Sequence, residues 1–190
     1  ASLARNIEKL VRFNRGNIQT NTINSFNQLP ESVNGVYDYD GSLGALTISG
    51  LQIPEGTGAK TIVVEKGDVI INGDITYVNG AATSADKLSS LAIIVLNGNM
   101  IVKGNVNSLA GAYFVQGGQI KSDGTNSDQQ LTVYGSIFGE IGDLFLHRTF
   151  AGDPGQDQGA ITIRYDQRII QNTPPGLEDI LNFNQSETAR

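Results

Sequence analysis

The fold is decided by a seven-residue stretch, Val69-Ile70-Ile71-Asn72-Gly73-Asp74-Ile75, which recurs twice along the chain. The second copy is Met100-Ile101-Val102-Lys103-Gly104-Asn105-Val106 and the third is Leu131-Thr132-Val133-Tyr134-Gly135-Ser136-Ile137, so the copies are evenly spaced in a 31-residue period. All three keep apolar residues at the first, third and seventh positions and a glycine at the fifth. Self-similarity at a fixed period is typical of proteins whose structural repeats stack on one another. The residues that define this repeat are Ile71, Val102, Val133, Gly73, Gly104 and Gly135.

Further segments extend the same period. The segment 62–64 (Ile-Val-Val) matches 93–95 (Ile-Ile-Val), and 113–115 (Tyr-Phe-Val) falls on 144–146 (Leu-Phe-Leu), in both cases at the spacing of the seven-residue copies. These segments are rich in Val, Ile, Phe and Tyr and are bounded by Gly, Asn and Asp, which is the composition of β-strands. Each repeat is therefore predicted to contain three short strands.

Weaker copies lie at both ends of the series. One begins at Leu46, ahead of Val69, and another begins at Ile161, after Leu131, and neither keeps the even spacing of the three full copies. Terminal units of repeat proteins are commonly irregular. The sequence therefore predicts an all-β fold, a short parallel β-helix (β-solenoid) of about five coils, with a stacked body roughly 20–25 Å long.

The chain is expected to have four parts. Apolar residues Leu3, Ile7, Leu10 and Val11 fall on one helical face, so residues 1–16 are interpreted as an amino-terminal amphipathic helix. Residues 17–45 form an irregular lead-in, residues 46–173 the solenoid, and residues 174–190 a short helical cap over the last coil and a tail. The amino-terminal helix has three interpretations: a membrane-surface helix, the soluble end of a longer anchor helix, or a cap on the open end of the solenoid.

Composition narrows the classes of partner. The net charge is −6 and the pI about 4.7, which argues against nucleic acid because phosphate binding needs clustered Lys and Arg. There is no cysteine, so disulfides and thiolate metal sites are excluded. The chain begins with Ala1 and contains no apolar stretch long enough to span a bilayer, so membrane attachment is expected only through an anchor outside this sequence.

Two acidic residues, Asp68 and Asp74, are the candidates for catalysis, because many parallel β-helices act on polysaccharides with paired carboxylates. Their counterparts one repeat later are Asn99 and Asn105. An acid stacked on an amide favours a hydrogen-bonded surface ladder, and this is the preferred interpretation. A catalytic pair is the alternative.

Two loops are rich in oxygen ligands. Asp123 and Asp128 belong to one, and Asp153 and Asp157 to the other. Plain turn chemistry accounts for both, with Ca²⁺ binding as the alternative, although neither spacing matches a known calcium loop. No other cofactor is expected. His147 is the single histidine and is interpreted as a surface or packing residue.

The carboxyl-terminal part carries a resemblance. The order of the Gly-punctuated repeat, Tyr165-Asp166-Gln167-Arg168 and Pro174-Pro175-Gly176 resembles the ectodomains of bacterial type IV pilus accessory or minor-pilin-like (PilX-like) proteins over roughly residues 60–178. The motif in that family is usually Tyr-Asp-Pro-Arg, and Gln167 replaces its proline here. The resemblance implies a structural role for the motif, with Arg168 or Arg148 paired with Asp166 or Asp143.

The expected function is therefore non-enzymatic. The resemblance implies an extracellular or cell-surface structural and adhesive protein, a pilus or pilus-like accessory subunit that presents a rigid head. Its partners would be other pilus or surface proteins, copies of itself, or a host-surface or glycan ligand. The alternatives are a secreted β-helix polysaccharide-active enzyme and a bactofilin-like polymer-forming scaffold.

Overall fold

The computed structural model describes residues 16–80, 82–150 and 159–178. The predicted amino-terminal helix, the acidic residues Asp153 and Asp157, and the carboxyl-terminal helix beyond residue 178 lie outside the described residues. The described chain is mostly β, and its strands form one curled parallel sheet shaped like a half-barrel. The prediction of an all-β, parallel fold is confirmed.

The strands form three parallel ladders, in which each strand pairs with the strand above it and the strand below it. The first ladder contains β1 (Gly16–Asn17), β3 (Val36–Tyr39), β6 (Ala59–Val64) and β9 (Ser90–Val95). The second contains β2 (Thr22–Ile23), β4 (Leu46–Ile48), β7 (Val69–Ile71) and β10 (Met100–Val102). The third contains β5 (Leu51–Ile53), β8 (Ile75–Tyr77), parts of β11 (Ser108–Ser122) and β12 (Leu131–Ile141), and β13 (Ile161–Arg164).

Two long strands connect the ladders. β11 (Ser108–Ser122) pairs in turn with β8, β9 and β10, and β12 (Leu131–Ile141) runs beside β11 and also pairs with β13. The remaining regular elements of the described chain are 3-10 helices and a short α-helix. They are the 3-10 helices Phe26–Gln28, Ala85–Lys87 and Asp143–Phe145, and the α-helix α1 (Arg168–Gln171).

Alternation of side chains places the core between the ladders. In β4, β7 and β10 the outer two residues are buried and the middle residue is half-buried, which is the period of two expected of a strand with one face on a core. The buried positions are stacked Leu, Ile, Val and Met side chains. Each contributes about 1.5–3 kcal/mol through burial of apolar surface.

Several of the predicted alignments are confirmed by the strand register. Val69 pairs with Met100 and Ile62 with Ile93, as the 31-residue period predicts. The weaker terminal copies are also paired as predicted, since Leu46 lies opposite Val69 and Leu131 opposite Ile161. Ile71 and Val102 are therefore equivalent positions.

The third copy of the repeat is placed wrongly by the 31-residue period. Met100 pairs with Ile120, whereas Val133 pairs with Leu109 and Gly135 with Gly111. Val133 and Gly135 are therefore not the equivalents of Val102 and Gly104. The cause is the long connection between β8 and β9, which lengthens this part of the chain and produces the 31-residue offset only there.

The predicted match of Tyr113 with Leu144 is also wrong. Tyr113 pairs with Ile93 on one side and with Ile137 on the other, both closer along the chain than the period predicts. Leu144 lies in a 3-10 helix instead. The sequence separation between paired residues is short here because β11 runs from one ladder to the next without a loop. It bends at Gly111, where φ is +124°.

The carboxyl-terminal segment packs on the side of the first ladder. Ile169 and Leu177 are buried there against Val36, Val63 and Ile94. The prediction that this segment covers the last repeat is therefore wrong for residues up to 178. Val36, Val63 and Ile94 are outward side chains of the first ladder, and β9 is buried along its whole length, so this flank needs a cover.

Candidate functional site

Among the described residues, polar side chains gather in a surface groove beside Phe26, at the corners between ladders, and at a contact that holds the carboxyl-terminal segment. The groove lies outside the third ladder, where the lead-in passes β5 and β8. Its volume is about 630 Å³. A second cavity of about 720 Å³ is also lined by this phenylalanine.

The rim of the groove is fixed by a capping box in the lead-in. Gln28 accepts hydrogen bonds through Oε1 from the backbone N–H groups of Asn24, at 2.7 Å, and Ser25, at 3.0 Å. The hydroxyl of Ser25 accepts one from the backbone N–H of Asn27. This reciprocal pattern stabilises the 3-10 turn that carries Phe26, whose ring packs partly against the core.

The walls of the groove are amides and hydroxyls. Asn24, Asn27, Gln52 and Thr76 line it together with Asp74. The second cavity adds Val33, 89% exposed, and the opposite charges of Glu31 and Lys60. These lining residues come from segments far apart in sequence, and no local motif in the chain identifies them together.

The corner carboxylates are bound to backbone groups of the next strand. Asp68 Oδ1 accepts the backbone N–H of Asn99 at 2.8 Å and its side-chain Nδ2 at 3.2 Å. Asn99 Oδ1 in turn accepts the backbone N–H of Gln119, whose side chain donates to Glu140. The predicted ladder of Asp68 and Asn99 is confirmed, and it extends over two further residues.

The second predicted ladder pairs differently. Asp74 Oδ1 accepts the backbone N–H groups of Asn107, at 2.7 Å, and Ser108, at 3.0 Å, while Asn105 donates to Asn72. Asp74 therefore does not stack on Asn105. The backbone of the next turn approaches closely enough to replace the expected side-chain contact.

The carboxyl-terminal clamp consists of Glu55, Tyr77, Ser89 and Arg168. Arg168 Nη1 lies 2.6 Å from Glu55 Oε2, and its guanidinium stacks 4.7 Å from the centre of the Tyr77 ring. The other oxygen of Glu55 accepts the backbone N–H of Ser89 at 2.9 Å. The Glu55 side chain is 8% exposed and that of Arg168 is 23% exposed.

The electrostatics of the clamp follow from these contacts. Burial alone would raise the pKa of Glu55, but the hydrogen bond from Ser89 and the neighbouring Arg168 outweigh it and hold that pKa below its ordinary value. Burial also raises the pKa of Tyr77, whose hydroxyl oxygen accepts the backbone N–H of Leu91. Glu55 is therefore ionised at neutral pH and Tyr77 is neutral.

Further hydrogen bonds continue the clamp along the segment. Asn172 donates through Nδ2 to the carbonyl of Leu88 at 2.8 Å and accepts the hydroxyl of Ser90 at its own carbonyl. The hydroxyl of Thr61 donates to the carbonyl of Pro175 at 2.7 Å. These contacts join parts of the chain that are distant in sequence.

The residues of the tyrosine motif contact the chain mainly through backbone groups, apart from the side chain of Arg168. Tyr165 is 70% exposed, Asp166 Oδ1 accepts the backbone N–H of Arg168, and the carbonyl of Pro174 accepts the backbone N–H of Leu177. The predicted pairing of the Arg168 side chain with Asp166 is wrong, because the guanidinium reaches Glu55 instead. Glu55 lies 113 residues earlier, too distant for a sequence motif to reveal.

The other predicted arginine, Arg148, is 4% exposed and contacts main chain. It donates to the carbonyl of Lys103 at 2.8 Å and to that of Gln129 at 3.3 Å, and burial lowers its pKa. The predicted pair of Arg148 with Asp143 is wrong, since Asp143 accepts the backbone N–H of Ser122 and lies 3.5 Å from His147 Nε2. Nothing in the sequence indicated that Arg148 is buried.

The first predicted calcium loop shows turn contacts. Asp123 Oδ1 accepts the backbone N–H of Thr125 at 2.9 Å, and Asp128 accepts the side-chain amide of Gln129. Within residues 16–80, 82–150 and 159–178, no group of three or more His, Cys, Asp or Glu side chains is arranged to hold a metal ion. Calcium binding stays the untested alternative for both loops, and Asp153 and Asp157 of the second lie outside the described residues.

Comparison with known proteins adds no family assignment. Among the helices in the described ranges, none is long and apolar enough to cross a membrane. No family model matches the chain, and neither a curated protein nor a solved structure matches it.

Proposed function

We propose that this chain is a non-enzymatic structural and adhesive protein of the cell surface, a pilus or pilus-like accessory subunit whose body is a parallel β-solenoid. The three ladders support a chain that winds into successive coils. The strands of each ladder follow one another in chain order, and β11 pairs with a strand from each of the three ladders. The succession of β5, β8, β11, β12 and β13 along the third ladder supports a body of about five coils. Coil lengths are unequal because loops are inserted in some coils.

One observation carries the non-enzymatic part of the proposal. Asp68 and Asp74, the acids that would serve a polysaccharide-active enzyme, each use one carboxylate oxygen to accept backbone N–H groups from the next turn. An acid whose oxygen accepts backbone N–H groups is held in place, which suits a structural corner. A general acid of a glycosidase instead needs an open approach to the sugar.

The clamp supports a role as a rigid head. Glu55 and Arg168 join the carboxyl-terminal segment to the flank of the solenoid, and Thr61 and Asn172 continue the attachment. A surface held in this way loses little conformational entropy when it binds a partner. The resemblance of the same segment to pilus-associated ectodomains supports the assignment to a pilus-like assembly.

Immunogold electron microscopy of native cells tests this function. An antibody raised against the purified 190-residue chain is expected to label fibres or the outer cell surface, and the same antibody absorbed with that chain is the control. Label confined to the cytoplasm contradicts the proposal. The enzymatic alternative is tested separately with wild type and Asp68→Ala on a broad polysaccharide panel, where the proposal expects no turnover by either protein.

A polymer-forming scaffold is the second candidate, and the exposed last strand favours it. Among the described residues β13 pairs only with β12, and Ile163 on this strand is 56% exposed. Unpaired strand edges with apolar side chains promote association. Sedimentation velocity of wild type and Ile163→Lys distinguishes the two candidates, with Val33→Lys as the control at an exposed site elsewhere. Filaments that Ile163→Lys abolishes support the scaffold, whereas a monomeric wild type removes it.

A further inference from the structure

We propose that the groove beside Phe26 binds a neutral linear oligosaccharide, and this inference rests on the adhesive function proposed above. The groove has the volume of an ordinary small-ligand site, since such sites occupy about 300–1,000 Å³, and it measures about 630 Å³. The second cavity of about 720 Å³ also includes Phe26 in its lining. Two cavities that meet at one aromatic ring suit an elongated ligand.

The lining matches the chemistry of a sugar. Hydroxyl groups of a saccharide donate and accept hydrogen bonds, and so do the side chains of Asn24, Asn27, Gln52 and Thr76. Within the described residues these four side chains make no hydrogen bonds to other groups of the protein. They are therefore available to a ligand.

Phe26 supplies the apolar contact. The C–H face of a pyranose ring packs on an aromatic ring, because that face is apolar and the aromatic face carries partial negative charge. The Phe26 ring packs partly against the core, and the turn that carries it is fixed by the capping box of Ser25 and Gln28. The contact is thus positioned before the ligand arrives.

Charge selects a neutral ligand over an acidic one. Asp74 lines the groove, and no Lys or Arg is among the described residues of its lining. One oxygen of Asp74 accepts two backbone N–H groups, and the second oxygen remains to accept a sugar hydroxyl. A uronate or sialate would meet this carboxylate in a lining without a cation. Arg148, whose charge interacts with Asp74, is buried and donates to main-chain carbonyls, and Lys60 in the second cavity is accompanied by Glu31.

The groove is rigid at its base as well as at its rim. Gly50 lines it with φ at +81°, and a Cβ at the neighbouring Gly73 would lie 2.7 Å from the backbone nitrogen of Gly50. The two glycines let adjacent turns approach closely. The walls formed by β5 and β8 are held at a fixed separation by this approach and by the pairing of Gln52 with Thr76.

The purified chain is first tested for binding on a glycan array. Its affinity for the neutral oligosaccharide that binds best on the array is then measured by titration calorimetry, and trigalacturonate is titrated as the acidic probe. The proposal expects binding of neutral oligosaccharides of three or more units in preference to trigalacturonate. Gln52→Ala is expected to weaken that binding about three- to tenfold, the value of one hydrogen bond. Gln116→Ala, an exposed glutamine on β11 outside the groove, is the matched control and should bind like wild type.

Three results would overturn the inference: no neutral oligosaccharide bound at millimolar glycan, a preference for the acidic probe, or equal affinities of Gln52→Ala and Gln116→Ala. These outcomes are separate from the cellular test. A chain that labels the cell surface but binds no sugar refutes the groove and leaves the surface function standing. A chain that binds a sugar through Gln52 but is cytoplasmic supports the groove and refutes the surface function.

Discussion

Removal of the Arg168 side chain is expected to destabilise the protein by about 3 kcal/mol, because it leaves a buried carboxylate without its cation. The Glu55 side chain is 8% exposed and lies 2.6 Å from Arg168. Breaking a buried pair costs about 3–5 kcal/mol, and the lower end applies since Arg168 is itself 23% exposed. The lost stacking on Tyr77, about 1 kcal/mol, is part of that total.

Urea unfolding followed by circular dichroism measures this loss. A domain of this size has an m value of about 2 kcal/mol/M, so Arg168→Ala should lower the unfolding midpoint by about 1.5 M. Arg164→Ala is the matched control, because Arg164 is exposed and lies 5.9 Å from the centre of the Tyr134 ring. Its midpoint should fall by less than about 0.5 M. Equal midpoints for the two variants would refute the clamp.

The same pair predicts a dependence on pH. Hydrogen bonding from Ser89 and the charge of Arg168 hold the pKa of Glu55 below its ordinary value of 4.5 despite the opposing effect of burial. A lowered folded-state pKa contributes stability above the unfolded pKa, and that stability is lost as pH falls through the folded value. The difference between wild type and Arg168→Ala should therefore shrink below about pH 4.5. Unfolding curves that keep a constant difference down to acid pH would contradict this.

Two further substitutions test the corner between ladders and the attachment of the carboxyl-terminal segment. A Cβ on Gly98 would lie 2.0 Å from the carbonyl oxygen of Gly67, so Gly98→Ala should lower the free energy of unfolding by about 3 kcal/mol. Gly104→Ala is the control, because the nearest neighbours of a Cβ there lie at 3.5 Å. In the same urea assay its stability should stay within about 1 kcal/mol of wild type. Similar midpoints for both would contradict the close approach at the corner. Thr61→Val removes the hydrogen bond to the carbonyl of Pro175 and should accelerate amide exchange of residues 172–178, measured by mass spectrometry, with a loss of about 1 kcal/mol. Unchanged protection of that peptide would show that Thr61 does not hold the segment.

The fold class follows from local chemistry that a sequence displays directly. Alternation of apolar residues in β4, β7 and β10 predicts strands with one buried face, and the structure has them. The uninterrupted apolar run of β9 indicates burial on both faces, which is the signal for a covering segment. The cover itself could not be located, because Glu55 and Arg168 meet across 113 residues.

The error in the repeat has a physical cause. Glycine next to an apolar residue recurs at the corners between ladders, because the backbone of adjacent turns approaches closely there. Gly135 therefore matches Gly104 in the sequence pattern, although in the structure it pairs with Gly111. A pattern alone cannot distinguish corners that belong to different ladders. The groove was missed for a related reason, because Asn24, Gln52 and Asp74 are gathered from separate turns. Only the capping box of Ser25 and Gln28 provided a local signal there.

The register of the ladders is the central claim, and engineered disulfides test it most directly. The chain contains no cysteine, so a pair introduced into it has no competing thiol. In-register neighbours on adjacent parallel strands lie about 4.8 Å apart, within the range that a disulfide spans. The pairs are Ser108→Cys with Thr132→Cys, which the structure places opposite each other, and Ile101→Cys with Thr132→Cys, which a uniform 31-residue period would place together.

Ile70→Cys with Ile101→Cys is the positive control, because both arrangements pair these residues. Oxidation of each purified variant, followed by mass spectrometry of the cross-linked peptides, gives the result. The structure predicts a complete disulfide in the control and in the 108–132 pair, and none in the 101–132 pair. A disulfide between positions 101 and 132, with none between 108 and 132, would contradict the ladders described here.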